Sequence, residues 1–542
     1  MNINLFIVLP VLCPIVFGIL LLMFPIKNDR TRDIFNFIFV LLNTLMSFAA
    51  IVSFNGEHIS IFRFYQDYGF EFRIDKAASI FGTIVSGLWP FASLYAYGYM
   101  KHQERKNSFF AFFTMTYGVV LGIAFAANLL TMYVFYEMLT LVTFPLVLHP
   151  MTKQAIKAAK TYLVYSLGGA AFGLIGLIFL MSKGSIEFIF GGSIGEEALA
   201  SSFMLPSFVL AFCGFSVKAA MAPFSGWLIK AAVAPTPVTA LLHAVAVVNA
   251  GSFACIRLIY FVYGTDTLYG TWAQYTVMVF TIITIVFGSS FAVKEQHFKR
   301  RLAYSTISNL SYILFAATIM TPLGVTAAFA HMVMHSLTKI CSFFCCGIVM
   351  EQTGKNYVYE LNGMGKRMKI SFVCFTIASL SLIGIPLFCG FTSKWRIGVA
   401  AVADGKPLAI AGLIGVLFSA LLTAIYMLTI VIRAYFPELG KAADLKAAEI
   451  AVDKAKDRNQ KKTDEKIQNS DRKKTSARKS NVELTKEKSK TNGKTINRDG
   501  HEEKTVIREH CWQMLVPVIC FAVGIMILGV FWQPVFDFIS FI

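Results

Sequence analysis

The chain has 542 residues, of which 56% are hydrophobic, with a mean hydropathy of +0.63 and a formal net charge of +18. This composition is too apolar for a soluble globular protein. Apolar runs of about 20 residues recur along the whole chain, and each is long enough to cross the hydrocarbon core of a bilayer. We therefore predict an all-α polytopic membrane protein.

Hydropathy along the chain predicts about fourteen transmembrane helices. The first apolar run begins at the N-terminus without a positively charged leader or a small-residue cleavage site, so we expect it to be the first helix of the mature protein. The predicted helices are centred near residues 14, 43, 88, 117, 139, 171, 212, 250, 282, 311, 335, 380, 420 and 523.

Two charged residues interrupt the predicted helices of the first half. A charge at the centre of a membrane helix costs about 2.5–3.5 kcal/mol on insertion scales and is tolerated where it faces protein or a water-filled cavity. Glu137 lies in the middle of its apolar run, and the alternative is an acid at a helix end that reaches water. Lys218 is its natural partner, and Pro223 breaks the helix that carries Lys218. A nearby carboxylate favours the charged form of a lysine, whereas burial favours the neutral form. A Lys–Glu pair whose separation changes is therefore a proton switch: the lysine keeps its proton when the two are close and can release it when they are apart.

The second half carries titratable residues in a regular spacing. His331, His335 and Lys339 recur every four residues, which aligns them in one polar stripe along an apolar helix. A zinc site is the alternative, but no third ligand stands nearby and the glutamate of the HExxH motif is missing. We predict a lateral chain of titratable groups. His243, on the helix that follows Pro235, is either a relay group or a hydrogen-bonded packing residue.

Lys394 lies in the twelfth predicted helix, a few residues after Pro386. Together with Gly384 and Gly390, Pro386 predicts an irregular helix that neighbouring helices hold in place. The alternative is that Lys394 and Arg396 mark the outer end of this helix.

Much of the positive charge lies in one segment, Lys441 to Arg508, which is rich in Lys, Asp, Glu, Ser, Thr and Asn. Such a segment buries too little apolar surface to fold, so beyond a helical beginning at Lys441–Lys456 we expect disorder or a mobile helix. Acidic residues are interleaved with the basic ones, and no aromatic or Arg-rich pattern marks a nucleic-acid site. We interpret it as a solvated loop near an anionic membrane surface.

The basic segments fall in alternate loops of the fourteen-helix arrangement. The positive-inside rule assigns such loops to the cytoplasm, so that both termini lie outside. The basic loops are Lys27–Arg32, Lys101–Lys106, Lys153–Lys160, Lys294–Arg301, Lys366–Lys369 and Lys441–Arg508.

Several motifs together resemble the antiporter-like subunits shared by respiratory complex I, membrane-bound hydrogenases and Mrp-type cation/proton antiporters. They span about residues 110–400 in the order found in that family, and their combination is more specific than any one of them. The motifs are Glu137 with its context, GFSVKAAMAPFSGWL, APTPVTALLHA, KEQHFKRRLAYSTISNLSYI, HMVMHSLTKICSFFCCG and GIPLFCGFTSKW.

The resemblance implies that helices 4–8 and 9–13 form two inverted five-helix repeats, each with a broken helix, the seventh and the eleventh or twelfth. It also implies roles for five residues. Glu137 and Lys218 match the ion pair of the first half-channel, His243 a relay, Lys339 a connecting site and Lys394 the output-side lysine. Inverted repeats favour ion sites near the midplane of the membrane. The predicted divisions are 1–107 for helices 1–3, 108–263 and 264–436 for the repeats, 437–510 for the basic loop and 511–542 for helix 14.

The sequence departs from the family pattern at three positions. Ser225 stands where family members commonly carry histidine, and Asn249 matches the lysine found on the eighth helix of many members. Lys230 is an additional cation nearby, which either compensates for this change or is an ordinary residue of a basic loop. These departures affect the central relay.

The resemblance implies a proton- or sodium-translocating subunit of a larger complex, most like the D subunit of an Mrp-type antiporter, in the plasma membrane. A proton-pumping subunit of a complex I-like NADH dehydrogenase or membrane-bound hydrogenase is the main alternative. Lys394 argues against the fourth core subunit of complex I, which tends to carry an acid there. Further alternatives are a stand-alone secondary transporter or a degenerate, non-conducting subunit. The expected partners are other integral membrane subunits, H⁺ with or without Na⁺, and the lipid bilayer; we expect no covalent chemistry, cofactor, metal or nucleic acid.

Overall fold

The computed structural model describes residues 5–53, 56, 58–65, 68–183, 186–440 and 511–541. The predicted basic loop over 437–510 therefore lies outside the described residues from position 441 onward. Within the described residues the chain is almost entirely helical, which confirms the all-α membrane fold.

The N-terminal part contains two helices, a β-hairpin and a third helix. The hairpin is antiparallel and pairs Ile59 with Phe72, and it is a feature that the hydropathy pattern did not predict. The elements are α1 (Leu5–Met23), α2 (Asp29–Ser53), β1 (Ile59–Tyr65), β2 (Tyr68–Phe72) and α3 (Lys76–Tyr99).

The next part contains the first interrupted helix. Two of its helices have polar N-caps: the side chains of Asn128 and Thr152 accept hydrogen bonds from the backbone amides of Thr131 and Ala155. The elements are α4 (Lys106–Phe125), α5 (Leu129–Leu148), α6 (Lys153–Ser182), α7 (Met204–Ser216), the short α8 (Gly226–Ala231) and α9 (Thr236–Tyr263).

The remaining part contains the longest helix and the second interruption. Thr271 and Thr321 cap the starts of two of its helices in the same way. The elements are α10 (Trp272–Lys294), α11 (Phe298–Thr318), α12 (Pro322–Thr353), α13 (Lys369–Ile383), α14 (Cys389–Asp404), α15 (Pro407–Tyr435), α16 (Trp512–Val530) and α17 (Gln533–Ile539).

Eleven helices of the described residues are long and apolar enough to cross a membrane. All fourteen predicted centres fall inside a described helix. α7 and α13 are too short for that set because their segments are broken, and α11, rich in serine and in basic residues at its start, is also outside it. The count of fourteen crossings and the two inverted repeats stay predictions.

α9, α12 and α4 are the most buried of the eleven helices that could cross a membrane, and two of them, α9 and α12, carry predicted site residues. The most apolar window of α9 is 100% buried and that of α12 is 89% buried, against 33% for α2 and α15. A helix that is apolar on nearly all sides is suited to a buried position. The few polar groups on such a helix face other protein segments and not lipid. The predicted site residues His243, His331, His335 and Lys339 all lie on these two helices.

Candidate ion-translocation site

Side chains form hydrogen bonds with backbone groups that the first helix break leaves free. Between α7 and α8, the carbonyl of Val217 accepts a hydrogen bond from the indole of Trp227 at 2.8 Å. The amide of Ala222 donates to the hydroxyl of Thr284 on α10 at 3.0 Å. Backbone groups freed by a break inside a membrane protein need such partners. Pro223 lies inside this interruption, as the sequence predicts.

The predicted pair of charges meets beside this break. Nζ of Lys218 lies 3.6 Å from Oε1 of Glu137, donates to the carbonyl oxygen of Tyr136, and stands 3.4 Å from the centre of the Tyr136 ring. The side chain of Lys218 is 1% exposed and that of Glu137 is 22% exposed. The ammonium is therefore stabilised by a carboxylate, a carbonyl and an aromatic face, three partners that differ in how easily they can move away.

A glycine brings α9 against the same break. A Cβ atom at Gly251 would lie 2.5 Å from the amide nitrogen of Ala219, so only glycine allows this approach. The interrupted segment and the buried α9 are in backbone contact next to Lys218. This contact connects the ion pair to the helix that carries His243.

His243 lies in a π-helical turn of α9, Leu241–Val245. Its side chain is fully buried, and neither ring nitrogen has a hydrogen-bond partner among the described residues. The ring packs 4.9 Å from Phe343 on α12. Single π-turns occur frequently at functional sites. A histidine with two unpartnered nitrogens is available as both proton donor and acceptor.

The three residues predicted to form a stripe on α12 contact different neighbours. The rings of His331 and His335 are stacked 6.3 Å apart, and Nδ1 of His331 lies 2.9 Å from the hydroxyl of Ser393 on α14. Both ring nitrogens of His335 lack a partner in the described part of the chain. Nζ of Lys339 donates to the hydroxyl of Ser305 on α11 at 2.6 Å. The stripe therefore runs from α14 to α11 across the interior.

The second break lies between α13 and α14, in the twelfth predicted segment, whereas the eleventh, α12, is one continuous helix of 32 residues. Pro386 lies in this interruption. Nζ of Lys394 donates to the carbonyls of Leu382 at 2.6 Å and Ile383 at 3.0 Å, the last two residues of α13. A cation at the C-terminus of a helix is favoured by the free carbonyls and by the helix dipole. Lys394 therefore contacts the backbone at the break between α13 and α14, and not the outer end of the twelfth predicted segment.

Hydroxyl groups of α11 and α15 line the region between Lys339 and Lys394. The hydroxyl of Tyr426 donates to Ser305 at 2.8 Å, and that of Tyr312 donates to Ser419 at 2.6 Å. Nζ of Lys394 stands 5.4 Å from the centre of the Tyr312 ring. These hydroxyls were not among the predicted site residues, because serine and tyrosine in an apolar helix give no distinct signal.

The three positions that depart from the family pattern occupy different environments. The side-chain nitrogen Nδ2 of Asn249 donates to the carbonyl of Ala244 at 2.8 Å and to the hydroxyl of Ser336 at 2.7 Å. A neutral side chain therefore links the π-turn of α9 to α12. Ser225 is buried at the start of α8, and Lys230 is exposed at its end. Lys230 lines a cavity of about 480 Å³ together with Arg300.

Gly390 is expected to be essential for the second break. A Cβ at this position would lie 1.8 Å from the carbonyl oxygen of Ser381, so Gly390→Ala must separate α14 from α13 and disturb the carbonyls that hold Lys394. We expect a loss of about 1–3 kcal/mol of stability and reduced ion transport, measured by thermal unfolding in detergent and by flux in vesicles. Gly398→Ala is the matched control, because its Cβ would meet only a Leu413 methyl group at 3.5 Å. Equal stability of the two variants would contradict the expectation.

A known protein family matches the part of the chain that contains the candidate site. Residues 126–423 match the family described as NADH:quinone oxidoreductase/Mrp antiporter, transmembrane. The chain belongs to this family. The matched region contains every predicted site residue from Glu137 to Lys394 and both broken helices. The resemblance drawn from the motifs is thereby confirmed.

Curated relatives of the family come from several kinds of complex. The chain is 28% identical over 458 residues to a chloroplastic NAD(P)H-quinone oxidoreductase subunit 5 of Phaseolus vulgaris, covering 79% of this chain and 59% of that protein. It is 31% identical to the A/B subunit of a probable K⁺/H⁺ antiporter of Rhizobium meliloti, covering 60% and 32%. It is 29% identical to NADH-quinone oxidoreductase subunit N of Desulforudis audaxviator, covering 70% and 75%. The chain spans between half and three fifths of the length of the chloroplastic relatives.

Two solved assemblies contain a chain with the same fold. One is the Mrp complex from Dietzia sp., with a TM-score of 0.77 at 18% identity, covering 100% of this chain and 97% of that one. The other is the membrane-bound sulfane sulfur reductase, an archaeal respiratory membrane complex, with a TM-score of 0.76 at 20% identity and coverage of 100% and 96%. These relatives and neighbours are subunits of multisubunit membrane complexes.

Proposed function

We propose that this protein is a proton- or sodium-translocating subunit of a multisubunit complex, most like the D subunit of an Mrp-type cation/proton antiporter. The observation that carries the proposal is the row of buried titratable groups, which begins at the pair of Glu137 and Lys218 and ends at Lys394. Buried charges in a membrane protein are rare, and many of those that are present mark ion pathways. The row passes through two broken helices and two deeply buried helices, α9 and α12.

In the proposed cycle, the Lys218–Glu137 pair acts as the switch. When the two side chains are close, the carboxylate and the Tyr136 carbonyl favour the ammonium form. When the carboxylate moves away, the lysine remains buried without its counter-charge and releases its proton. Glu137 is partly exposed, so it is the member of the pair with room to move.

The released proton then passes along α9 and α12. His243 and His335 have unpartnered ring nitrogens within the described residues, and His331 is stacked on His335. Lys339 and Lys394 receive the charge at the far end. The Ser393 hydroxyl lies 2.9 Å from Nδ1 of His331, one residue before Lys394 along α14. Only N–H and O–H bonds break and form in these steps, so no covalent intermediate is required.

The proposed arrangement in the membrane follows the basic loops. In this arrangement the protein lies in the plasma membrane, with the basic segments in the cytoplasm and both termini outside. Residues 108–263 and 264–436 form two inverted repeats. One break in each repeat, α7–α8 and α13–α14, supports this division. The proposed partners are other integral membrane subunits, H⁺ with or without Na⁺, and the surrounding lipid.

A redox-driven proton pump is the second candidate. It is favoured by the relatives named as quinone oxidoreductase subunits and by the fold shared with the sulfane sulfur reductase. The site would work in the same way, with the driving force supplied by an oxidoreductase partner. The two candidates differ in their partner subunits and in the source of energy.

Purification of the intact assembly in mild detergent, followed by mass spectrometry of its subunits and flux measurements in liposomes, tests the proposal. Small hydrophobic partners and proton flux driven by a Na⁺ or K⁺ gradient support the role in an antiporter. Partners with iron–sulfur or flavin groups support the redox pump. A chain that purifies alone and stays folded contradicts the assignment to a complex, and an intact complex without flux supports a degenerate subunit.

A further inference from the structure

Lys230 belongs to a group of four lysines that the proposed pathway does not use. The other three, Lys153, Lys157 and Lys160, lie near the start of α6, and their spacing of four and three residues places them on one face of the helix. All four lysines are exposed, and all four line one cavity of about 510 Å³ between α6 and α8. We call this cavity the lysine groove.

The lysine groove carries positive charge without a counter-charge. Its lining contains no aspartate or glutamate, and none of its lysines forms an ion pair within the described residues. Lys157 and Lys230 also line the neighbouring cavity of about 480 Å³, together with His297 and with Arg300, which pairs with Glu295 at 3.3 Å. Like charges one helical turn apart repel each other, so an anion bound in the groove would relieve this repulsion.

The floor of the lysine groove is a contact between α6 and α8. Tyr165 lines the groove, and a Cβ atom at Gly226, the first residue of α8, would lie 3.5 Å from the Tyr165 hydroxyl oxygen. The buried ring of Trp227 packs against Tyr162 of α6, with 5.0 Å between the ring centres. The two walls of the groove are therefore already held together, and an anion can bind without any rearrangement of the helices.

The lysines lie where α6 leaves the hydrocarbon core of the membrane. α6 has 30 residues and is about 45 Å long, which is about 15 Å more than the hydrocarbon core requires. The face that carries the lysines continues into exposed apolar side chains, which include Val164, Leu167 and Ile178. Val164 also lines the groove. A cationic end that continues into an apolar face matches both parts of a phospholipid, whereas a soluble anion would contact only the cationic end.

We propose that the lysine groove binds the headgroup of an anionic phospholipid. The phosphate lies between Lys157 and Lys230, the two lysines that line both cavities, and the acyl chains follow the apolar face of α6 from Val164 onward. Basic pockets between membrane helices bind such headgroups in other membrane proteins. The lipid joins α6 to α8, the short helix that follows the first break. This binding does not depend on ion translocation.

A lipid titration of the intact complex in mild detergent, followed by thermal unfolding, tests the proposal. Phosphatidylglycerol should raise the unfolding temperature, because a ligand that binds the folded state stabilises it. Phosphatidylcholine with the same acyl chains has no net charge and should have little effect. We expect Lys157→Gln with Lys230→Gln to raise the phosphatidylglycerol concentration at half-maximal stabilisation about tenfold or more. Lys157→Arg with Lys230→Arg should leave this concentration close to that of the unaltered protein.

Controls separate a defined site from a general attraction of anionic lipid to a basic surface. Lys366→Gln with Lys369→Gln removes two exposed charges of another basic loop, which lines neither cavity, and should leave the titration unchanged. An equal weakening in this control overturns the proposal, as does an unchanged titration in the glutamine variant of Lys157 and Lys230. Equal stabilisation by glycerol phosphate, which has no acyl chains, assigns the groove to a soluble anion and also overturns the proposal.

A second variant keeps the test decisive if the glutamine variant does not fold. Thr161→Glu retains all four lysines and places a carboxylate in the lysine groove. We expect this variant to lose the response to phosphatidylglycerol, and an unchanged response overturns the proposal. Ion flux is not measured in this test, so the lipid site and the proposed function can fail independently.

Discussion

Lys218→Ala is expected to abolish ion translocation by the complex. The substitution removes the ammonium that contacts Glu137, the Tyr136 carbonyl and the Tyr136 ring, so Glu137 is left without its partner and the proposed switch is lost. Lys218→Arg should fail as well, because a guanidinium retains its proton at any physiological pH. We expect flux at the level of empty vesicles for both variants, a loss of about tenfold or more, in vesicles with a pH-sensitive dye.

The controls for this prediction separate transport from assembly. Lys294→Ala removes the same charge from an exposed position at the end of α10 and should leave flux unchanged. Gel filtration of each variant reports whether the complex is intact. Full flux in an intact Lys218→Ala complex would falsify the proposed switch and favour a subunit whose conducting groups are elsewhere or lost.

Arg257→Met is expected to cause the largest loss of stability. The guanidinium of Arg257 is buried in α9, makes two hydrogen bonds to Asp75 at 2.5 and 2.7 Å, and lies 4.5–5.0 Å from the rings of Phe188, Phe253 and Phe261. Breaking a buried ion pair costs about 3–5 kcal/mol, and after the loss of Arg257 the Asp75 carboxylate keeps, among the described residues, only Arg73, at 3.8 Å, as a cationic partner. Thermal unfolding of the protein in detergent measures this loss.

A double substitution tests the cause of that loss. Asp75→Asn with Arg257→Met removes both charges and keeps a side-chain oxygen to cap α3, where Asp75 accepts from the amide of Ala78. We expect the double variant to be more stable than Arg257→Met alone. A double variant no more stable than the single one would show that the packing of the guanidinium against the three rings dominates.

The same ion pair predicts a dependence of stability on pH. Burial alone would raise the pKa of the Asp75 carboxyl, but the charge and hydrogen bonds of Arg257 hold that pKa below its ordinary value. Because the folded-state pKa is the lower one, this contribution to stability is present at neutral pH and is lost as the pH falls through the folded-state pKa. Unfolding temperatures of the unaltered protein and of Asp75→Asn should therefore converge at acidic pH.

The candidate site was largely predictable because its residues are unusual for their surroundings. A lysine such as Lys218 or a glutamate such as Glu137 in an apolar run is noticed without any structure. The spacing of His331, His335 and Lys339 aligns them on one face of any helix. The burial of Lys299 was not predicted, because this lysine lies within the predicted basic loop Lys294–Arg301.

Other features depend on contacts between distant parts of the chain. The hairpin β1–β2 and the Asp75–Arg257 pair join residues that no local pattern connects, the latter 182 positions apart. The location of the second break, in the twelfth segment and not the eleventh, was left open by the family resemblance. The left-handed conformation of Gly384 and the contact of Gly390 with Ser381 decide it.

The sequence by itself determined the membrane-spanning helical architecture, the family and the set of titratable groups, because hydropathy, proline and buried charge act locally and leave a pattern in the chain. Only the tertiary structure decided which groups meet. The 3.6 Å contact of Lys218 with Glu137, the hold of Leu382 and Ile383 on Lys394, and the burial of Lys299 at Ala234 arise from the packing of separate helices. Such contacts depend on close approach between helices, which small residues such as Gly251 permit and which local sequence patterns do not specify.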